Sequence, residues 1–309
     1  MRELVDAVAQ AVSGGSTNAE PASAKINLAL HVTSRRPDGY HLIDSLVVFA
    51  DYADLVSAVP STGRQIELTL DGHFADELDL LSRPRDNLVV RAAEALIAAA
   101  KKRKLPPTHL VLTKRIPIGA GLGGGSADAA AALRLLNRTW ALGLDDGKLA
   151  KIGLPLGADV PMCLMPKPVI AKGIGERLTP VTIMPRLPVV LVHPSIPLST
   201  AKVYARLEPA ERSPLPLLPA RFDSPIAFAL WLRQTRNDLV EPARAETGLA
   251  EAATKALSAD PGCLFARMSG SGAAAFGIFP KLSTAEKAAE KLRHKRPNWW
   301  VVAVETIGS

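Results

Sequence analysis

The sequence predicts an α+β protein of two domains. At 309 residues the chain is long enough for two domains or one large one. Strand-like and helix-like segments alternate along it without an internal repeat. Its character changes near residue 170, after which proline-punctuated apolar segments become common. We therefore predict a first domain at residues 23–170 and a second at 171–309, and the last strand could return to the first domain.

In the first domain, residues 23–32 alternate between apolar and polar side chains, which is typical of a half-buried strand. Lys25 and Asn27 share the polar face of this strand because side chains on a strand repeat every second residue. The turn at 37–39 is followed by an extended segment at 40–50. Further predicted elements are a strand at 65–70, a helix capped by Asp86 and Asn87 that runs to Ala100, a strand at 108–113, and helices that end near Asn137 and Leu154.

The second domain is predicted to mix strands with helices in the same way. Strands are expected at 189–193, 264–268, 273–279 and 299–304, and helices at 226–234, 249–258 and 283–293. A second glycine-rich loop, 269–272, falls between two of these strands. Residues 1–22, many of them small and polar, are predicted to be a disordered or loosely attached extension.

The amino-acid composition is that of a globular protein and argues against a membrane-spanning or nucleic-acid-binding one. Hydrophobic residues make up 48% of the chain and charged residues 22%, which is typical of a globular protein, and no apolar run is long enough for a bilayer. Cys163 and Cys263 have no metal-binding spacing, which favours a reduced, cytoplasmic protein. The basic runs at 101–104 and 293–296 lack interleaved aromatic residues, so we expect no nucleic-acid partner. Both a monomer and a homodimer are compatible with the sequence.

The most informative segment lies between the strand at 108–113 and an alanine-rich helix. It contains five glycines, at 119, 121, 123, 124 and 125, whose backbone N–H groups no side chain shields from an anion. The helix that follows, starting near Ser126, directs its unpaired N–H groups and positive dipole end to the same place. The segment therefore predicts a site for nucleotide phosphates.

Two other glycine motifs share features with this segment. Gly119, Gly121 and Gly124 have the spacing of a dinucleotide fingerprint, but the loop lies more than a hundred residues into the chain and no acidic strand end follows at the expected distance. A Walker loop is excluded because no lysine precedes Ser126. A merely structural turn would need only one or two glycines.

The segment 116–127 closely resembles the phosphate loop of the galactokinase, homoserine kinase, mevalonate kinase and phosphomevalonate kinase (GHMP kinase) superfamily. The segment 24–28 resembles the N-terminal motif of that superfamily, and 268–273 resembles its C-terminal glycine motif. Segments 24–30, 36–42, 86–88 and 156–161 are most similar to the branch that acts on 4-diphosphocytidyl-2-C-methyl-D-erythritol. The resemblance implies a two-domain GHMP kinase fold, with an ATP-binding domain that has a mixed sheet and a C-terminal α/β sandwich-like substrate domain.

The resemblance also implies the chemistry, which is transfer of a phosphoryl group from ATP, with Mg²⁺, to the 2-hydroxyl of that cytidylyl substrate. Phosphoryl transfer needs a proton acceptor and positive charge near the reacting oxygens. Asp159, bracketed by Gly157 and Pro161, is the expected base, and Lys25 is expected to reach it and stabilise the developing charge. The expected ATP-binding residues are Pro117, Gly119, Gly121, Leu122, Gly123, Gly124, Gly125, Ser126 and Ala127.

Ser126 has two predicted roles, as a ligand of Mg²⁺ or a phosphate and as the N-cap of its helix, and the sequence does not separate them. For the substrate, the resemblance implies that Tyr40 and Tyr204 enclose the pyrimidine ring and that His41 bonds its polar edge. The remaining expected substrate-binding residues are Asn27, Thr200, Gly270 and Ser271. Other small-alcohol kinases, an NAD(P)-dependent oxidoreductase and a non-catalytic nucleotide sensor remain as alternatives.

Asp128 departs from the superfamily, whose members often have Ser-Asn where this chain has Ala127 and Asp128. A carboxylate near the phosphates would repel them unless it points away along the helix. The direction of the Asp128 side chain therefore decides whether this residue disturbs phosphate binding. Lys114, just upstream of the glycine loop, is expected to be a solvated strand end.

Overall fold

The computed structural model describes residues 18–81, 83–101, 104–196, 198–208 and 210–308. Of the predicted loose extension, residues 1–17 lie outside the described residues. Residues 19–22 are part of the first strand, so for these four residues the prediction was wrong. The described residues contain ten strands and ten α-helices.

The strands are β1 (Ala19–Arg35), β2 (His41–Pro60), β3 (Ile66–Asp71), β4 (Thr108–Thr113), β5 (Val169–Gly173), β6 (Arg177–Pro180), β7 (Pro188–His193), β8 (Phe265–Met268), β9 (Ala275–Ile278) and β10 (Trp300–Glu305). The helices are α1 (Ala75–Leu81), α2 (Leu88–Ala99), α3 (Gly124–Thr139), α4 (Asp146–Gly153), α5 (Val160–Leu164), α6 (Thr200–Ala205), α7 (Pro225–Leu232), α8 (Val240–Glu246), α9 (Leu249–Ser258) and α10 (Leu282–Lys295).

The chain divides into two compact units, and the first comprises residues 18–24, Ala53–Ile118 and Gly124–Met165. Its strands pair in both senses. Strand β3 runs parallel to β4, and β4 runs antiparallel to the second half of β2. Asn87 caps α2 as predicted, since its side chain accepts a hydrogen bond from the backbone N–H of Val89. Helix α3 is buried along most of its length, and its alanines let α2 pack closely against it.

The second unit comprises Lys25–Tyr52, Gly119–Gly123 and residues 166–308. The first half of β2 pairs antiparallel with β5, and β5 pairs with β6. Four further strands form an antiparallel sheet in the order β10-β7-β9-β8. Its core includes Val190 and Val192 of β7 and Phe279, which directly follows β9, together with Leu257 of α9 and Leu292 of α10. The burial of these apolar side chains provides the main stabilisation of this sheet.

This division differs from the contiguous one predicted from the sequence. Strands β1 and β2 are 17 and 20 residues long, and each runs through both units, so no single position in the chain separates them. The last strand, β10, pairs with β7 in the second unit rather than returning to the first. The predicted α+β class is confirmed. In the described part of the chain, every helix is too short or too polar to span a membrane.

Candidate active site

The glycine loop, residues 119–123, is held by its carbonyl oxygens. The carbonyl of Gly119 accepts a hydrogen bond from the N–H of Leu198 (3.4 Å), and that of Ala120 accepts one from the N–H of Ala274 (2.9 Å). The carbonyl of Gly121 accepts from the hydroxyl of Ser269 (3.4 Å), and that of Leu122 accepts from the N–H of Lys25 (2.8 Å). Four consecutive carbonyl groups therefore accept hydrogen bonds from other residues of the second unit.

Gly121 is required at its position for two reasons. Its φ of +76° lies in the left-handed region, which side chains disfavour. A Cβ atom there would lie 2.7 Å from the carbonyl oxygens of both Ser269 and Gly272, which is too close for two non-bonded atoms. The two glycine-rich loops of the sequence therefore pack backbone against backbone.

The N–H groups of residues 119–123 have a different environment. Among the described residues, none accepts a backbone hydrogen bond from these amides. Helix α3 follows the loop directly at Gly124, so its first N–H groups also lack helical partners. Amides of a glycine loop and of a helix amino end are groups that can bind an anion, so the phosphate site expected from the sequence stays a prediction.

Ser126 is the third residue of α3, because Gly124 and Gly125 are already helical. The N-cap interpretation of Ser126 was therefore wrong, and the ligand interpretation remains. Its hydroxyl lies 3.6 Å from the place where a Cβ of Gly157 would be. The side chains of Pro117, Leu122 and Ala127 are buried, so any contact of these residues with a nucleotide would come from their main chain.

Lys114 is buried, with only 3% of its surface exposed, so the predicted solvated strand end was wrong. Its ammonium group forms ion pairs with Asp54 and, at 2.8 Å, with Asp128. The other oxygen of Asp54 accepts hydrogen bonds from the N–H groups of Arg115 and Ile116 at 2.5 and 2.8 Å. The triad of Asp54, Lys114 and Asp128 thus fixes the segment that leads from β4 towards the glycine loop.

The position of Asp128 answers the question raised by the sequence, because its carboxylate points into the core of the first unit and is paired there. Burial, with the neighbouring charge of Asp54, raises the pKa of Asp128 to about 7, although Lys114 opposes the shift. Burial alone would lower the pKa of Lys114, but the two carboxylates raise it above its usual value. The sequence contained no clear signal for this triad, because Asp54 is one of three aspartates in β2, with Asp44 and Asp51.

Lys25 and Asn27 lie on β1 in the second unit and are both buried, at 6% and 3% exposed. The side chain of Lys25 runs along the loop, since a Cβ on Gly123 would lie 3.1 Å from its Cβ and Cε atoms. Asn27 donates to the hydroxyl of Ser45 at 2.8 Å, while its Oδ1 is buried without a hydrogen-bond partner among the described residues. A buried, unpartnered amide oxygen is available to a ligand hydroxyl.

Asp159 lies in the first unit, immediately before the short helix α5, and its side chain does not cap that helix. Lys25 belongs to the second unit, so the expected pairing of these two residues stays a prediction.

The residues expected to bind the substrate lie in the second unit. The rings of His41 and Tyr204 are in contact, with centroids 5.2 Å apart and planes inclined by 38°. Tyr40 is 59% exposed and so presents its ring to solvent. Burial, followed by the positive charges of Arg35 and Arg212, lowers the pKa of His41. Its Nε2 atom is buried and has no hydrogen-bond partner among the described residues.

Thr200 and Ser271 are brought together, because their hydroxyl oxygens lie 2.8 Å apart. Gly270, with a φ of +56°, lies next to Asn27, whose Oδ1 would be 3.1 Å from a Cβ on this glycine. Asn237, which the sequence analysis did not single out, supports this loop by donating to the carbonyls of Met268 and Gly270 at 3.0 and 2.8 Å.

The raised pKa of Asp128 predicts a pH-dependent stability. Between its unfolded value of 3.8 and its folded value of about 7, this carboxyl binds more protons in the folded state, so its contribution to the free energy of unfolding falls as the pH rises. Asp128→Asn removes that contribution. We expect the melting temperature of the variant, relative to the unmodified protein, to increase from about pH 5 to about pH 8.

The matched control is Asp145→Asn, which changes an exposed aspartate of the same unit whose pKa is lowered by hydrogen bonds from Lys148. Its difference in melting temperature should stay constant over the same pH range. Parallel curves for Asp128→Asn and the unmodified protein would contradict the raised pKa.

The chain is similar to known kinases in both sequence and fold. The family model "GHMP kinases N terminal domain" matches residues 87–167, and "GHMP kinases C terminal" matches residues 227–298. The solved structure titled 4-(cytidine 5'-diphospho)-2C-methyl-D-erythritol kinase has a TM-score of 0.74 and 33% identity, covering 94% of this chain and 100% of that one. The solved structure of L. major mevalonate kinase has a TM-score of 0.66 at 15% identity, covering 94% of this chain and 96% of that one, which shows a shared fold.

Curated relatives are similar over nearly the whole chain. The 4-diphosphocytidyl-2-C-methyl-D-erythritol kinase of Mesorhizobium japonicum is 47% identical over 93% of this chain and 95% of its own. That of Rhodospirillum rubrum is 42% identical over 94% and 92%. Because these relatives are kinases, the alternative of an NAD(P)-dependent oxidoreductase is rejected. The chain belongs to the 4-diphosphocytidyl-2-C-methyl-D-erythritol kinase family of the GHMP kinase superfamily.

Proposed function

We propose that this protein transfers the γ-phosphoryl group of ATP to the 2-hydroxyl of 4-diphosphocytidyl-2-C-methyl-D-erythritol, a step in the non-mevalonate route to isoprenoid precursors. The observation that carries the proposal is the glycine loop, in which four carbonyls are engaged and the amides are left for an anion. The curated relatives, at 42–47% identity, share this activity by name.

The triphosphate fits the cradle in its chemistry. Residues 119–123 and the start of α3 offer N–H donors and a positive dipole end, while the left-handed glycines keep side chains away. Mg²⁺, bound with ATP, would neutralise charge on the phosphates. Among the described residues no three His, Cys, Asp or Glu side chains form a metal cluster, which suits an ion held largely by phosphate oxygens and water. Ser126 is the proposed protein ligand.

In the proposed reaction, Asp159 accepts the proton of the 2-hydroxyl as its oxygen forms a bond to the γ-phosphorus. The bond from the γ-phosphorus to the bridging oxygen breaks, and ADP leaves. Lys25 stabilises the negative charge that develops on the transferring group. Both residues act by position and charge, which are the main contributions that a protein makes to phosphoryl transfer.

The acceptor is proposed to bind to the second unit. The exposed ring of Tyr40 and the ring of Tyr204 would enclose the cytosine, whose polar edge bonds Nε2 of His41. The orphan Oδ1 of Asn27 would accept a hydrogen bond from a substrate hydroxyl. The hydroxyls of Thr200 and Ser271, with Gly270, would complete the wall.

A panel of acceptors tests the proposed function directly. The protein is incubated with γ-labelled ATP and, separately, with the cytidylyl substrate, methylerythritol 4-phosphate, homoserine or mevalonate. We expect labelled product only with the first, because the others lack a base for the aromatic residues to hold. Turnover of homoserine or mevalonate at a similar rate would instead support another small-alcohol kinase, and a protein that binds ATP without any product would be a sensor.

Gly121→Ala should weaken ATP binding by about tenfold or more, because the new Cβ clashes with the loop that holds the carbonyls. Gly143→Ala is the matched control, since Gly143 has a similar φ of +67° but no atom within 4 Å of its Cβ position. The control shares the cost of a left-handed alanine, roughly 1 kcal/mol, and should keep its ATP affinity. Titration with a fluorescent ATP analogue measures both, and equal losses would refute a specific role for Gly121.

Asp159→Asn should lower kcat by about 10²–10⁴-fold while ATP binding is preserved, since only the proton acceptor is removed. Asp146→Asn, an exposed aspartate in the first turn of α4, serves as the control and should retain full turnover. Steady-state rates with the cytidylyl substrate provide the measurement. Undiminished kcat in Asp159→Asn would exclude this residue as the base.

A further inference from the structure

The short helix α5 follows directly after Asp159, the proposed base. All five of its residues, Val160–Leu164, are buried in the first unit. The carbonyl of Asp159 accepts a hydrogen bond from the N–H of Cys163 at 3.2 Å, so the aspartate and the end of the helix belong to one turn of backbone. A helix of five residues is not stable by itself, because few internal bonds offset the cost of ordering it. The position of Asp159 therefore depends on what holds α5.

Arg134, on helix α3, holds the carboxyl end of α5. One terminal nitrogen of its guanidinium donates to the carbonyl of Cys163 at 2.8 Å and to that of Leu164 at 3.2 Å. The last carbonyls of a helix have no helical N–H to bond, so the arginine supplies donors at this end. Because both residues are buried, the loss of these donors would cost more than the loss of a bond at the surface.

The other nitrogens of Arg134 bind the start of β1. Its Nε donates to the carboxylate of Glu20 at 3.1 Å, and its second terminal nitrogen donates to the carbonyl of Pro21 at 2.8 Å. All three nitrogens of the guanidinium are therefore engaged. A planar group bonded through every nitrogen has one favoured orientation. Arg134 thus fixes the end of α5 with respect to both α3 and β1, and all of these residues belong to the first unit.

The amino end of α5 lies beside the start of α3. The N–H of Val160 donates to the carbonyl of Gly157 at 3.0 Å. A Cβ on Gly157 would lie 3.6 Å from the hydroxyl of Ser126, in the first turn of α3. Arg134 follows Ser126 by about two turns of the same helix. Helix α3 therefore meets the segment around Asp159 near its start and holds the far end of α5 through Arg134.

We propose that Arg134 is a positioning residue, which sets the orientation of α5 and thereby holds Asp159 beside the start of α3. This inference rests on the proposed function, in which Asp159 accepts the proton of the substrate hydroxyl. Phosphoryl transfer depends mainly on the placement of charged groups, and a displacement of about 1 Å can cost about 10²-fold in rate. A need for such placement explains why one arginine donates to Glu20, Pro21 and two carbonyls of α5.

A double-mutant cycle in kcat tests this role. Arg134→Gln should lower kcat with the cytidylyl substrate by about ten- to a hundredfold and leave KM for ATP unchanged, because α5 shifts and the glycine loop does not. Arg134→Lys should restore part of the rate, since it keeps a donor for the carbonyls without the planar fork. In an Asp159→Asn background, Arg134→Gln should change kcat by about twofold or less, because the residue that it positions no longer accepts a proton.

The control for the cycle is Arg138→Gln. Arg138 lies one turn further along α3 and also forms an ion pair with Glu20, but its side chain is 45% exposed. This variant should keep the kcat of the unmodified protein. Melting curves, together with KM for ATP, show whether each variant is folded, and Arg134→Lys carries the same cycle if Arg134→Gln does not fold.

Two results would overturn the inference. One is a loss of kcat of the same size from the Arg134 substitution in both backgrounds, which would mean that the arginine acts on stability and not through Asp159. The other is undiminished kcat in a folded Arg134→Gln variant. An unmodified protein that phosphorylates no cytidylyl acceptor would refute the proposed function instead, and it would do so before any variant is made.

Discussion

A glycine loop can bind an anion only if its carbonyl oxygens point elsewhere, because a carbonyl facing a phosphate repels it. In this protein, hydrogen bonds to the carbonyls of residues 119–122 meet that requirement. Two of the donors, Ser269 and Ala274, come from the distant glycine-rich loop 269–272 and the residues just after it, and this loop approaches so closely that a side chain at position 121 has no room. The glycine loop therefore depends on a backbone contact between two loops, and the absence of a side chain at Gly121 is what permits this contact.

The first unit adds a second constraint through the triad of Asp54, Lys114 and Asp128. The ammonium of Lys114 lies 3.4 Å from the Cβ position of Gly124, immediately below the first turn of α3. Burial raises the pKa of Asp128 to about 7, and the charge of Asp54 adds to the shift while Lys114 opposes it. An acid at position 128 is therefore compatible with an anion at the start of α3, since it is directed inward and largely compensated.

Local patterns predicted much of this fold. The cap at Asn87, the strand Thr108–Thr113 and the helix Leu249–Ser258 follow from periodicity and capping residues, which act over a few positions. Partnerships over long sequence separations could not be predicted in the same way. The burial of Lys114 depends on Asp54, sixty positions away, and the N–H of Asn27 is bonded by a residue 242 positions later. Ser126 was misplaced because glycines, poor helix formers, were not expected to start the helix.

The acceptor is the part of the function that the fold leaves open. Mevalonate kinase shares this architecture at 15% identity, so the architecture itself does not distinguish one alcohol from another. Discrimination must come from side chains that meet the base and the diphosphate, because the reacting hydroxyl is common to all acceptors. For the base, we propose the rings of His41 and Tyr204 in the second unit, whose centroids lie 5.2 Å apart.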